Sequence, residues 1–598
     1  MRVGTDTGGT FTDLVDADGR VAKVPSTSND PSAAVRVGLE ALGAASPDVL
    51  AHGTTVATNA LLERRLATVA LLTSPGLRDV IEIARQDRPS LYDPAVRRPE
   101  PLVPRELRFE VAGRLDASGR EVSPVDASSL PDLDVSVDAV AVVLLHADLE
   151  PSHEHAVAAA LADSGLDVCC SHEVSPEMRE YERTVTTVVN AALRPRCRAY
   201  LQGLAGLANQ VVVMTSAAGL MDAADAAELP AALLLSGPAG GVRAAVEVAV
   251  TNGFPDAVTL DMGGTSTDVG LVVSGVPSPA AQREVGGFTV RFPSLDVLTI
   301  GAGGGSIAAI DPGGALVVGP RSAGAEPGPA CYDRGGSEPT VTDANIAAGR
   351  IADGSEMGGL VLRRDLAAAA LDRAGVTAEG VISVVNANME RALRSATVER
   401  GVDPRGLALV AFGGAGPLHA CELADALGIT TVLVPARAGV LSAVGILTAP
   451  TRRDLVRSWA TPQDHEGVRA AADELGHEAV RLVGAGAMVA TSVDCRYEGQ
   501  SHEITVPSVA DFAAEHERRN GYARPGAVVE VIAVRASAEL PASVSMADLP
   551  VVHRLDGAVP GPTTIAEPDC TVWIPEGWTA REGVGGALVI RRDGGEPL

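Results

Sequence analysis

The sequence predicts an α/β protein of two similar halves with mixed sheets, followed by a smaller β-rich C-terminal domain. Three observations carry this. The segment Asp6-Thr7-Gly8-Gly9-Thr10-Phe11-Thr12-Asp13 recurs as Asp261-Met262-Gly263-Gly264-Thr265-Ser266-Thr267-Asp268, with six of eight positions identical. A repeat spaced 255 residues apart is a duplicated half, far too long for a solenoid unit. Between the copies, strand-like and helix-like segments alternate, as parallel α/β pairing requires. From about residue 456 strand-like pieces dominate. The expected domains are therefore 1–182 with the first glycine loop, 183–455 with the second, and 456–598.

The elements follow in order. Arg2–Gly4 and Leu14–Val15 flank the first glycine loop as strands, and Asp18-Gly19 is a hairpin signal before Val21–Val24. Residues 31–43 and 54–65 read as helices, and 69–73 as a strand. The apolar run 137–145 reads as a buried strand, followed by a helix over 152–164 and a strand over 166–169. Residues 176–194 read as a long helix with Pro195 after it. Ala257–Leu260 leads into the second loop. Residues 320–346 are so rich in Gly and Pro that they read as a long irregular loop, and such loops are usually functional. Leu407–Phe412 is a strand ending in Gly413-Gly414-Ala415-Gly416, followed by a helix over 418–427 and a strand over 430–435. Beyond a helix near 465–484, strands are expected at 528–534, 570–574 and 587–590.

Composition narrows the function. The chain has 598 residues, 48 basic against 76 acidic, for a net charge of −28. That field opposes nucleic-acid binding, which depends on displacing counterions from phosphates, and aromatics at 3% offer few stacking platforms. Lys23 is the only lysine. A Walker A loop needs a Gly-Lys-Ser/Thr, so that route to phosphate is closed. Lys23 itself reads as a solvated strand residue. The seven cysteines form no Cys-x-x-Cys pair and no disulfide framework. No zinc-ligand spacing is present, and His153 and His155, two apart on a helix, point to different faces. The start of the chain lacks a signal-peptide pattern and no apolar run approaches a membrane span, so a cytoplasmic protein without a membrane partner is expected.

The glycine loops carry the chemistry. Gly-Gly-Thr after a strand lets main-chain N–H groups approach an anion. Threonine hydroxyls add neutral hydrogen bonds, and an adjacent aspartate can hold Mg²⁺. Two such loops facing each other would grip a polyphosphate without a lysine. A single Asp-x-Gly-Gly-Thr is equally well a hairpin turn; two in matched contexts favour phosphate. The Gly413–Gly416 loop lacks the third glycine of a dinucleotide fingerprint and better suits an adenine ring against the backbone.

These loops resemble the two phosphate motifs and the adenosine motif of the actin/Hsp70/sugar-kinase ATPases, whose halves have the ribonuclease H-like fold. More narrowly, the chain is similar to the hydantoinase A/5-oxoprolinase family. The likeness includes residues 8–13, His52 to Asn59, Arg85 to Asp93, Ser175 to Arg183, Ser236 to Gly241, Asp261 to Val269, Gly301 to Ile307, Pro327 to Tyr332, Pro339 to Asn345 and Phe412 to His419. The resemblance implies ATP and Mg²⁺ as cofactors, with Asp6 and Asp261 as the catalytic, metal-organising pair. It places Thr7, Gly8, Gly9, Thr10, Thr12, Gly263, Gly264, Thr265, Gly303, Gly304, Gly413, Gly414 and Gly416 around the nucleotide. Asp13, Asp268, Thr12 and Thr267 read as loop supports. His52, Thr54 and Arg183 are candidates for substrate contact. His52 is equally well a structural histidine, and Glu182-Arg183 reads rather as a helix-surface charge pair.

The resemblance further implies ATP-dependent ring opening of a cyclic amide (hydantoin, 5-oxoproline or a related lactam) through phosphorylation of its carbonyl oxygen. It also implies a hydantoinase B-type partner subunit. The alternative is a subunit of an ATP-dependent ketone carboxylase. A non-enzymatic Hsp70-like reactivating factor is a third reading, disfavoured by the likeness outside the nucleotide loops.

Overall fold

A computed structural model of the protein describes residues 1–27, 30–126, 128, 130–133, 136–357 and 359–594. Its two halves are built alike. Strand β1 (Arg2–Thr7) pairs antiparallel with β2 (Phe11–Asp16), and β2 with β3 (Val21–Pro25). β4 (Val49–Thr54) runs parallel to β1 on its other side. The second half repeats the order. β5 (Ala257–Met262) pairs antiparallel with β6 (Thr267–Val273), β6 with β7 (Val297–Ile300), and β8 (Ala408–Phe412) lies parallel to β5. The expected duplicated α/β architecture with mixed sheets is therefore the observed one. Among the described residues the first sheet has ten strands and the second nine. A separate four-stranded parallel sheet, from Val69–Thr73, Arg108–Glu110, Ala139–Val143 and Asp167–Cys170, is inserted into the first half. The central strands are covered on both faces, which is why β8 reads as an uninterrupted buried apolar run.

Helix α1 (Glu180–Leu204) packs against strands of this inserted sheet and against the segments around residues 230 and 290. It differs from the sequence expectation. Pro195 does not end it; the helix continues nine residues further. Proline removes one intrahelical donor, but Cys197, Leu201 and Leu204 continue the buried stripe beyond it. The segment 320–346 also differs. Val341–Ala347 is a helix, started by a capping box between Thr340 and Asp343. The buried carboxylate of Asp343 also accepts from the Cys331 amide at 2.7 Å, which ties the preceding loop to this helix.

Two helices join the halves. α2 (Ser236–Thr251) leads into β5, and α3 (Leu441–Leu447) leads from the second half back to the strand Thr451–Ser458 of the first sheet. They cross at glycine. A Cβ on Gly445 would stand 1.9 Å from the Gly240 carbonyl oxygen, and one on Gly4 of β1 would stand 2.4 Å from the Ala443 oxygen. Only backbones fit there.

The chain after 455 is β-rich and has a small core of its own around Val493, Tyr497, Phe512, Val531 and Val534. Its strands divide between the halves. Met488–Tyr497 and Val529–Leu540 extend the first sheet through Thr451–Ser458, while Leu588–Arg592 pairs with Thr431–Val434 of the second. Position 455 thus lies within a strand, because sheet pairing carries the backbone across it. Arg535 helps hold this region down, reaching Glu177 and Asp494 at 2.7 Å each. All seven cysteines are buried and unpaired. Among the described residues no helix is long and apolar enough to cross a membrane.

Candidate active site

The two glycine loops are the same construction built twice. In β1–β2, Asp6 stands opposite Asp13, and the Gly8 N–H donates to the Phe11 oxygen at 3.0 Å. In β5–β6, Asp261 stands opposite Asp268, and the Gly263 N–H donates to the Ser266 oxygen at 3.1 Å. The loops meet. A Cβ on Gly264 would lie 3.0 Å from Thr10 Oγ1. Among the described residues, the amides of Gly9, Thr10, Gly264 and Thr265 have no hydrogen-bond acceptor within the chain, and Gly9 and Gly264 are exposed. Unpaired, accessible N–H groups on facing loops are what an anionic ligand needs.

The other glycine segments divide in role. Gly303 and Gly304 lie behind the second loop. The Gly304 amide donates to the Gly263 oxygen at 2.9 Å and the Gly303 amide to Ser306 Oγ at 2.8 Å, so neither N–H is free for a phosphate. Gly413 adopts φ +78°, and a Cβ there would stand 2.4 Å from Asp261 Oδ1. The Ala415 amide donates to the Met262 oxygen at 3.0 Å. Gly414 has nothing near the position of a Cβ, whereas a Cβ on Gly416 would lie 3.3 Å from the Leu260 oxygen. Gly414 is thus the open position of the three.

Four carboxylates gather beneath the loops. Burial raises Asp6 to about 7, with the negative charges of Asp13 and Asp268 adding and Lys23 opposing. Burial likewise raises Asp261 to about 8, reinforced by Asp268 and Asp6 and opposed by a Ser442 hydroxyl 3.4 Å away. Asp268 is raised by burial to about 6, against the Thr299 hydroxyl and the Arg283 charge. Asp6 Oδ1 is buried with no hydrogen-bond partner. Mutually repelling carboxylates with an orphaned oxygen fit a hard divalent cation such as Mg²⁺, which takes oxygen ligands. Asp6 and Asp261 are the two that could hold it.

Family models for the hydantoinase/oxoprolinase N-terminal region and for hydantoinase/oxoprolinase match residues 2–165 and 183–455. The chain is 34% identical to caprolactamase subunit alpha of Pseudomonas jessenii, covering 96% of this chain and 97% of that one. The chain belongs to the hydantoinase/oxoprolinase family. The crystal structure of the ATP-dependent caprolactamase from Pseudomonas jessenii superposes with a TM-score of 0.82 at 31% identity, covering 99% of this chain and all of that one. The acetophenone carboxylase gamma subunit of Aromatoleum aromaticum is 33% identical over 70% of this chain and 64% of its own.

Within this family member the remaining candidates are not all brought to the cleft. His52 on β4 stands opposite Thr5, so its side chain lies on the other face of the sheet from Asp6. It is fully buried, its Nε2 is 2.7 Å from the Tyr200 hydroxyl, and burial pushes its pKa down to about 3. The helix after it, Val56–Leu62, is only seven residues long, and Thr54 Oγ1 accepts its first amide at 3.1 Å. Thr7 is buried in β1, on the face of His52. Thr12 Oγ1 lies 3.0 Å from Ser26 Oγ, and Thr267 Oγ1 donates to the Ala302 oxygen at 2.5 Å, as loop supports would.

Two readings are corrected. Glu182 and Arg183 are not a surface pair, because adjacent residues on a helix face different ways. Glu182 accepts from Arg85 at 2.7 and 2.5 Å, and Arg183 reaches Asp148 at 2.6 Å and the Leu144 oxygen at 2.9 Å. Arg183 is 1% exposed, so its charge is spent inside the fold. Lys23 is not solvated: its ammonium donates to both oxygens of Asp13, at 2.7 and 2.9 Å. Sequence reasoning also missed Ser442, Thr299 and Gly439, which no local motif marks. For Lys23 the signal was its being the only lysine in the chain.

Proposed function

We propose that the chain is the ATP-using subunit of an enzyme that opens a cyclic amide, a hydantoin, 5-oxoproline or a related lactam. The facing Gly-Gly-Thr loops above a four-carboxylate cluster carry this reading, and the end-to-end match to caprolactamase subunit alpha supports it. The free amides of Gly9, Thr10, Gly264 and Thr265 hold the polyphosphate, and Gly414 leaves room beside the adenosine. Asp6 and Asp261 hold Mg²⁺, which supplies positive charge against the phosphates. Phosphoryl transfer is mostly positioning and charge neutralisation. The amide carbonyl oxygen attacks the γ-phosphorus, the bond to the ADP oxygen breaks, and an O-phosphorylated imidate results. Water then adds to the activated carbon, the ring C–N bond breaks with the nitrogen leaving as a protonated amine, and a second water cleaves the resulting acyl phosphate to carboxylate and phosphate. Relatives carrying subunit designations support a second chain, of the hydantoinase B type, for that hydrolytic half.

A ketone carboxylase subunit is the second reading, favoured by the likeness to the acetophenone carboxylase gamma subunit. One experiment separates them. ATP hydrolysis by the chain, with and without its partner, is measured across hydantoins, 5-oxoproline, caprolactam, and ketones with labelled bicarbonate. Stimulation by a cyclic amide with stoichiometric ring opening is the expected result. Stimulation only by ketone plus bicarbonate overturns it.

A further inference from the structure

The ammonium of Lys23 lies within the carboxylate cluster. Its three N–H groups meet three acceptors: Asp13 Oδ1 at 2.7 Å, Asp13 Oδ2 at 2.9 Å and the Gly439 oxygen at 3.3 Å. The side chain is 17% exposed and its Nζ lies 5.2 Å from the centroid of the Phe11 ring. Gly439 is itself held, its amide donating to Asp569 Oδ2 at 2.8 Å. Arginine serves every other basic position, but its planar fork does not converge on three acceptors as a compact ammonium does.

The duplication supplies an internal comparison. Lys23 stands opposite Asp13 across β2–β3, and Thr299 stands opposite Asp268 across β6–β7. These are equivalent positions in the two halves. In the second half a neutral hydroxyl makes the contact, Thr299 Oγ1 donating to Asp268 Oδ1 at 2.5 Å. The guanidinium of Arg283, which acts on Asp268 from further off, hydrogen-bonds instead to the oxygens of Leu295 and Val297 and faces Asp296. One side of the cluster therefore has a built-in cation bonded to its outer aspartate, and the other does not.

We infer that Lys23 is a fixed counter-cation that engages Asp13 and withholds it from the metal, so that the cluster takes a single divalent cation, at Asp6 and Asp261. The inference rests on the reading of this cleft as a nucleotide–metal site. Four uncompensated carboxylates would attract two divalent cations. An ammonium on both oxygens of Asp13 removes that carboxylate from the ligand set and repels a second cation. Lys23 is thus a positioning residue: it acts through Asp13.

The test is Mn²⁺ binding to the purified full-length chain without nucleotide, read from the loss of the free-Mn²⁺ electron paramagnetic resonance signal. Wild type is expected to bind one ion. Lys23→Met frees Asp13, so a second ion binds or the first binds about tenfold tighter. Lys23→Arg keeps the charge and stays at one ion. Thr299→Lys places an ammonium at the mirror position, where the exposed Thr299 leaves room, and weakens Mn²⁺ binding by about tenfold. Circular dichroism and thermal melting establish that each variant is folded. Wild-type number and affinity in folded Lys23→Met overturns the inference. If that variant does not fold, unchanged affinity in Thr299→Lys overturns it. One ion bound equally by every variant removes only the role of Lys23, whereas no Mn²⁺ on wild type overturns the metal reading as well.

Discussion

Thr10 and Gly264 touch across the cleft: the threonine hydroxyl lies 3.0 Å from where a Cβ of the glycine would stand. They belong to copies of one motif 255 residues apart, and the contact closes the two loops over the carboxylates. Gly264→Val would wedge them apart without touching the core. We expect a loss of ATPase activity of about a hundredfold or more, as phosphate-positioning donors are displaced, with an unchanged melting temperature. Turnover close to wild type in the folded variant would refute the paired-loop site.

The carboxylates give a stability profile with a defined sign. Asp6 is raised to about 7 and Asp261 to about 8, from the ordinary carboxylate value of the unfolded chain. Between those values the folded chain keeps protons that the unfolded chain has released. Stability contributed by these groups is therefore full below about pH 4 and is lost as pH rises towards about 8. In the presence of chelator, Asp261→Asn should melt progressively higher than wild type from about pH 5 to about pH 8. Added Mg²⁺ should raise the wild-type melting temperature more at the upper end of that range. Parallel pH profiles for the two proteins would count against the cluster.

Asp6→Ala and Asp261→Ala remove the proposed cation ligands while relieving repulsion. Each should cut Mg-ATP turnover by about a thousandfold, the scale of a lost electrostatic stabiliser. Neither should lower the melting temperature measured without divalent cation. Kinetics with Mg-ATP and thermal melting in the presence of chelator check both halves of the statement.

Arg183 makes the opposite kind of prediction. Its partner Asp148 has a side chain only 5% exposed. Arg183→Ala leaves that carboxylate uncompensated and should cost about 3–5 kcal/mol in urea unfolding. The KM for ATP and for substrate, measured on the folded fraction, should not move. A selective rise in substrate KM at unchanged stability would instead place Arg183 at the ligand.

At the crossing of the two connecting helices, Gly445→Ala forces a methyl to within 1.9 Å of the Gly240 oxygen. The helices must part, with a cost of about 3 kcal/mol or more from overpacking. Thermal unfolding measures it directly.

The Gly-Gly-Thr loops, the duplication and the alternating strands and helices were legible in the residues because each is local. A turn needs its glycines in place, and a buried strand needs its apolar run. Even so, local rules misjudged two elements. Pro195 reads as a stop, but the buried stripe on α1 outweighs one lost hydrogen bond. Thr340 and Asp343 read as loop, yet form a capping box. What tertiary structure alone decided are the long-range partners. Lys23 looks like any exposed strand residue until β2 brings Asp13 beside it and residue 439 arrives from the other half. Arg183 and Glu182 look like a pair until the inserted sheet offers each a separate partner. His52, inside a family motif, faces away from Asp6 only because β4 pairs with β1 in that register. Periodicity and turn chemistry act within a few residues. Charge pairing and burial depend on which distant segments the folded sheets set side by side.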